Sequence, residues 1–229
     1  MASPGVTPQS NQRTNIKKAY NARGRGKGNL WLVYSVKTRS SWILPSDRQL
    51  IHWLCLESDP EVKSFDLAPK QIISHDGTET KATELDAIVV FKNRQVQWHE
   101  VKAGTNKKDP SNQSQFNAQA AAASKEHVEY KIINDTYLKP RIKVALRWLK
   151  PLCYADAIKD YQHTSCHNAL ECTLKKLQTG NIKQLLETLE DFDSSVVIGV
   201  LVRVVIAGIV ELNLEKSSFG LQTRWIYHG

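Results

Sequence analysis

Apolar positions along this chain follow two periods. Leu85, Ile88, Val89, Val90 and Phe91 form one compact, β-branched-rich run. Val96, Trp98 and Val101 form a second with partial alternation, and Lys92-Asn93-Arg94 is the polar break between them. Two such runs across a short break predict a β-hairpin. Upstream, residues 30–36 predict a strand. Ser46 and Gln49 make a capping-box signature that opens a helix. Leu50, Trp53, Leu54 and Glu57 continue it at helical spacing, and Asp59-Pro60 stops it. Residues 62–67 and 71–75 supply further strand material. After the hairpin, the Ala-rich stretch 114–127 predicts a helix and 128–133 a strand. The order helix, three strands, helix, strand describes a mixed α/β core.

The pattern then changes. Residues 141–149 predict a short basic helix ending at Pro151, and the domain boundary is placed between 135 and 160. Leu170, Leu174 and Leu177 predict a helix that stops at Gly180; Ile182, Leu185, Leu186 and Leu189 predict a second. Asp193 or Ser194 caps a third, running through Val205. Residues 209–214 and 221–227 alternate as strands about a turn containing Gly220. Three helices and a hairpin suggest an α+β winged helix. Such modules often dock on DNA, but many bind protein, and a fold does not fix a function. Arg203 is the single charge of the third helix, which points to a buried or protein-facing role. The apolar run 196–212 falls short of the ~20 residues a membrane span needs, so no contact with a membrane is expected.

The hairpin carries the chemistry. Asp86 enters its first strand, Glu100 sits near the end of the second, and Lys102 follows two residues on. Alternation places Glu100 and Lys102 on one face, and antiparallel pairing brings the start of the first strand beside the end of the second. Carboxylate oxygens are hard donors suited to Mg²⁺, with Mn²⁺ a substitute. A bound ion polarises a phosphoryl group and lowers the pKa of water, and a nearby ammonium can position that water. The spacing D-x13-E-V-K matches the PD-(D/E)xK nuclease core. The bland alternative is a strand end with solvated charges and one surface ion pair. The expected organisation is therefore a flexible basic arm over 1–28, a PD-(D/E)xK α/β domain over 29–150 and a winged-helix-like domain over 151–229.

Charge and cysteines narrow the setting. The 229 residues carry a formal net charge of +8 and a pI near 9.3, with 41% hydrophobic content. A polyanionic partner, double-stranded DNA, is favoured. Arg23, Arg25 and Lys27 in the polar arm, and Lys107 and Lys108 after the hairpin, are candidate phosphate contacts; a solvated tail and a solvated loop are equally good readings of them. The four cysteines Cys55, Cys153, Cys166 and Cys172 include no C-x-x-C. With no apolar core in the first residues, free thiols in a reducing, intracellular compartment are expected. His163, Cys166, His167 and Cys172 cluster, but zinc sites usually show tighter paired spacing, and surface and core roles are favoured.

Several of these features, in order, resemble one family. Asp59-Pro60-Glu61-Val62 after a Leu-rich helix, Pro69, Leu85-Asp86, Glu100-Val101-Lys102, the strand 128–133 with its basic helix, and the C-terminal stretch 208–214 with the Thr223 strand resemble TnsA, the endonuclease subunit of heteromeric transposases. The resemblance covers about residues 30–229. It implies a PD-(D/E)xK domain followed by a winged helix, and Mg²⁺-dependent cutting of the 5′ ends, the non-transferred strands, at transposon ends. It implies as partners a TnsB-like DDE transposase that cuts and joins the 3′ ends and a TnsC-like ATPase regulator. The implied location is the bacterial cytoplasm, at the nucleoid when on DNA. Asp86 and Glu100 would hold metal, and Lys102 would serve the attacking water. One position departs: the family usually carries a Glu in its first helix, in an S-x-x-E context, where this chain has Gln49 after Ser46. Asp47 is an alternative in a shifted register. Glu57 lies two turns further, about 12 Å along a helix. A stand-alone restriction or repair nuclease, and a DNA-binding scaffold with a decayed site, remain alternatives.

Overall fold

A computed structural model describes residues 12–23, 28–69, 71–75, 80–104 and 110–229. The described chain divides into two compact units. The first takes the residues up to Val33, Ser40–Trp53 and Glu61–Pro140; the second takes Tyr34–Arg39, Leu54–Pro60 and Arg141–Gly229.

The first unit is built on a mixed sheet of four strands. Its order is β3 (Val62–Asp66), β6 (Ala87–Phe91), β7 (Val96–Val101), β8 (Glu129–Ile133). The pairs β3/β6 and β6/β7 are antiparallel, and β7/β8 is parallel. The hairpin turn falls where the polar break predicts it. Phe91 N–H donates to Gln95 O at 2.9 Å, Asn93 Oδ1 accepts from Gln95 N–H, and Arg94 takes φ +70°. A parallel step needs a crossover, which helix α3 (Pro110–Lys125) supplies. Val62, Phe65, Ala87, Val89 and Ile133 fill the core. The strands β4 (Ile72–His75) and β5 (Thr80–Thr83) form a separate antiparallel ribbon. The strands β1 (Trp31–Ser35) and β2 (Ser40–Leu44) form another. Of these, β2 and β5 have no counterpart among the predicted elements.

Helix α2 (Asp47–Ser58) starts as its cap predicts: Ser46 Oγ accepts from Gln49 N–H at 3.2 Å. Within the stretch expected as a flexible arm, residues 12–14 and α1 (Ile16–Arg23) are helical. Composition had argued for solvation there, but Arg13 and Ala19 are buried.

The second unit has a different interior. After α4 (Asp135–Leu138) in the first unit come α5 (Ile142–Arg147) and α6 (Leu149–Ala157). Pro151 lies inside the first turn of α6 instead of ending a helix, because a first-turn residue has no intrahelical N–H bond to lose. Then follow α7 (Thr164–Leu177), β9 (Thr179–Asn181), α8 (Ile182–Thr188), α9 (Ser194–Ile206), β10 (Val210–Leu212) and β11 (Arg224–Tyr227). The three strands form an antiparallel sheet in the order β10-β11-β9. Asn181 caps α8 with a full capping box, and Asp193 caps α9.

Gly180 does not stop α7; Gln178, at φ +62°, does. Gly180 instead lies in β9 against Trp225, whose ring would sit 2.9 Å from any Cβ. From Val197 to Ile206 every residue of α9 but Arg203 is buried, and Gly199 lets it approach Tyr154 O on α6 so closely that a Cβ would lie 2.7 Å away. Arg203 satisfies the carbonyls of Ile158 and Tyr161. The apolar run is thus a buried helix followed by a strand, and among the described residues no helix is long and apolar enough to cross a membrane.

Candidate active site

The hairpin register assembles the site. Ala87 pairs with His99, and Asp86 N–H donates to His99 O at 3.0 Å, so Asp86 stands at the strand end that also carries Glu100. Asp86 is 8% exposed and Glu100 3%. Lys102 follows β7, its N–H bonded to Ile133 O beside the end of β8. Its Nζ lies 2.9 Å from Glu100 Oε1 and 3.4 Å from Gln115 Oε1. The three residues singled out on the hairpin therefore converge at one sheet end, with Glu100 and Lys102 paired as their alternation requires.

Gln49 reaches the same place from the first turn of α2. Its Nε2 donates to Asp86 Oδ1 at 2.7 Å, while its Oε1 accepts from Ser46 Oγ at 3.3 Å. As placed, it supports the carboxylate and is not a metal donor. The two alternatives for the absent helix Glu go elsewhere. Asp47 accepts from Asn29 Nδ2 and Trp31 Nε1. Glu57 is fully buried and accepts from Ser35 Oγ and the N–H groups of Val36 and Lys37.

Other residues of the site were not singled out from the sequence. Arg13, 2% exposed, places Nη2 2.8 Å from Asp86 Oδ1. Asp86 Oδ2 accepts from Val101 N–H at 2.7 Å. From α3, Gln115 Nε2 donates to Glu100 Oε1 and Gln119 Nε2 to Glu100 Oε2, each at 3.1 Å. Gln119 also reaches Thr83 Oγ1 and Glu84 O, and its Oε1 accepts from Tyr130 O–H at 2.6 Å. Two glutamines four apart on an Ala-rich helix share a face, and that spacing was the available signal. Arg13 left none, because one arginine in a polar stretch reads as solvated.

Burial dominates the electrostatics of the site. Burial, then the Asp86 charge, pushes the Glu100 carboxyl up to about 7, against the pull of Lys102 and Gln119. Burial also raises the Tyr130 hydroxyl, with Glu100 and Asp86 adding to it. Burial lowers the Arg13 guanidinium, while Asp86, Glu100 and Glu84 draw it back up. Beside Arg13 and Gln49 a cleft of about 440 Å³ opens, lined also by Arg23, Glu84, Ile43 and Pro45.

On the same strand, His99 and Gln97 join a second buried polar chain. Gln97 Oε1 accepts from His99 Nε2–H at 3.1 Å, which leaves Nδ1 to accept from His52 Nε2–H at 2.9 Å. Gln97 Nε2 in turn donates to Glu129. Burial holds both imidazoles neutral.

The donor set fits Mg²⁺. Mg²⁺ is commonly held by one or two carboxylates, with waters and substrate phosphates completing the octahedron. Asp86 and Glu100 are such a pair, and their field already holds a cation, the Arg13 guanidinium. Among the described residues no group of three or more His, Cys, Asp or Glu is disposed around a metal position, so the remaining ligands would come from solvent and substrate. The His163–Cys172 cluster forms no such group either. Cys166 is buried in the core, and all four cysteines are free thiols.

Of the candidate DNA contacts, Arg23 is exposed at the end of α1, its guanidinium 6.0 Å from the Tyr20 ring centroid. Arg25, Lys27, Lys107 and Lys108 lie outside the described residues. No protein-family model matches the chain, and no curated protein matches it.

Proposed function

We propose that this protein is a metal-dependent DNA endonuclease of the PD-(D/E)xK type, acting as the TnsA-like subunit of a heteromeric transposase. The observation that carries the reading is the convergence of Asp86, Glu100 and Lys102 at one end of a mixed α/β sheet, with the D-x13-E-x-K spacing. A buried carboxylate pair costs stability, and a site for a hard cation explains why it is retained. The positive net charge suits a DNA substrate. On this reading the second unit is a winged helix. Its buried α9 speaks for a domain that meets DNA or a TnsB- or TnsC-like partner through surfaces other than that helix.

The chemistry follows from the side chains. Bound Mg²⁺ would supply Lewis-acid charge at the scissile phosphate. Asp86 and Glu100 provide the oxygen donors for it. Val101 N–H and Gln49 fix the Asp86 carboxylate, and Gln115 and Gln119 fix that of Glu100, so both donors are oriented in advance. Lys102 holds the attacking water and stabilises negative charge on the phosphorane. Water oxygen bonds to phosphorus and gives up a proton to solvent, the P–O3′ bond breaks with its electron pair going to the 3′-oxygen, and that oxygen takes a proton from solvent.

A second reading has specific support. Gln49 stands where a charged ligand is expected and spends its amide on Asp86, as Arg13 spends its charge. Both are compatible with a non-catalytic, DNA-binding scaffold. Strand-specific cleavage of transposon-end DNA in Mg²⁺, with the partner transposase present, separates the two. Glu100→Gln and Lys102→Ala should each lose the 5′-strand cut by at least about a hundredfold, roughly 2.7 kcal/mol of barrier, while 3′ cuts persist. No 5′ cut by the wild type in an assembled, 3′-cutting complex would select the scaffold.

A further inference from the structure

We propose that Arg13 and a divalent cation are alternative occupants of the Asp86–Glu100 pair, so that residues 12–23 are a built-in plug that leaves when the centre is loaded. The inference rests on the reading of that pair as a metal centre. Arg13 is among the most deeply buried side chains of the molecule. Its guanidinium bonds Asp86 Oδ1 and lies within the fields of Glu100 and Glu84. A divalent ion held by the same carboxylates would face a like charge among buried side chains, where repulsion is less screened than at the surface. One of the two must go.

The segment that carries Arg13 is built to let go. Ala19 is the buried residue of α1, while Ile16 is 58% and Tyr20 65% exposed. The flank of α1 lines the 440 Å³ cleft through Ala19, Ala22 and Arg23. A helix with so little buried apolar surface gains little from packing, and such elements open at low cost. The contact of Arg13 with Asp86 is electrostatic, and an ion of higher charge competes with a contact of that kind.

The test uses the full chain and Mn²⁺ alone. Isothermal titration should show Arg13→Gln binding Mn²⁺ at least tenfold more tightly than wild type, with Asp86→Asn abolishing binding in both backgrounds. Charge removal alone could tighten binding, so displacement is read separately. Hydrogen exchange of the wild type should rise at residues 12–23 when Mn²⁺ is added, and should not in Asp86→Asn. Equal Asp86-dependent affinity in wild type and Arg13→Gln, or exchange at 12–23 that Mn²⁺ leaves unchanged, overturns the plug and leaves the metal centre standing. Absence of Asp86-dependent binding in both proteins overturns the metal centre and the plug together. Should Arg13→Gln fail to fold, the wild-type exchange result decides alone.

Discussion

The two units solve burial in opposite ways. In the second, α9 buries Val197, Val200, Leu201 and Val202 beside Leu170, Leu174 and Trp225, all at most 1% exposed. Glu57 is its buried acid, held by three hydrogen bonds. In the first, the buried set includes Arg13, His52, Asp86, Gln97, His99, Glu100 and Gln119. Well-packed apolar side chains in place of buried ion pairs are often neutral or stabilising, because taking an ion out of water is costly even when it is paired. The second interior is built mainly by apolar packing, with Glu57 its buried charge, whereas the first keeps several buried ions and amides whose desolvation packing does not repay.

Unfolding measurements test that contrast. The largest effect belongs to the apolar interior. Leu201→Ala removes packing that cannot be replaced and should cost about 2–5 kcal/mol in urea unfolding. Asp86→Ala should cost less, about 1–3 kcal/mol, the penalty for the Val101 N–H it leaves unsatisfied. Trapping Arg13 as an unpaired buried charge would cost about 3–5 kcal/mol, but the plug can carry that charge to water. A loss above that of Leu201→Ala would mean that residues 12–23 cannot move.

Acid should separate the units next. Burial, then the Arg13 charge, lowers the His52 pKa from 6.5 to about 3. Its folded value is depressed, so the stability it contributes is present above pH 6.5 and lost as pH falls toward 3. The slope is at most about 1.4 kcal/mol per pH unit for one proton. Glu57 behaves oppositely. Burial raises its pKa above 4.5, so its contribution is present below pH 4.5 and lost as pH rises through the folded value. His52→Gln should flatten the decline between pH 6.5 and 5; an unchanged slope would assign that decline to other groups. The smallest effect is local: Asn181→Ala removes the cap of α8 and should cost about 1 kcal/mol, read as a lower urea midpoint at unchanged slope.

Legibility divided along the same line. Periodicity located the hairpin, α2, β3, β8, α9 and the C-terminal strands, because their burial follows from apolar spacing. The approach of Asp86, Glu100 and Lys102 was legible because it follows from strand pairing, whereas Gln49 entered only through the family resemblance, its helix cap giving no reason for it to reach Asp86. In β7, however, Gln97, His99 and Glu100 are more buried than Val96, Trp98 and Val101, the reverse of what hydropathy suggests. A polar side chain buries when a partner from a distant element meets it, and such partners (Arg13, Gln119, His52) come from elements whose placement the local pattern does not specify. Pro151 and Gly180 misled for a related reason: each is a breaker only in some positions, and the first turn of α6 and the Trp225 contact make them tolerated or required.

The most direct test of the central claim is anomalous diffraction from the full chain crystallised with Mn²⁺, alongside Asp86→Asn. The account predicts one Mn²⁺ peak bonded to oxygens of both Asp86 and Glu100 at about 2.1 Å, the octahedral hard-cation distance, with Arg13 withdrawn and no peak in the variant. Arg13 still bonded to Asp86, with no peak at the carboxylate pair at saturating Mn²⁺, would contradict it.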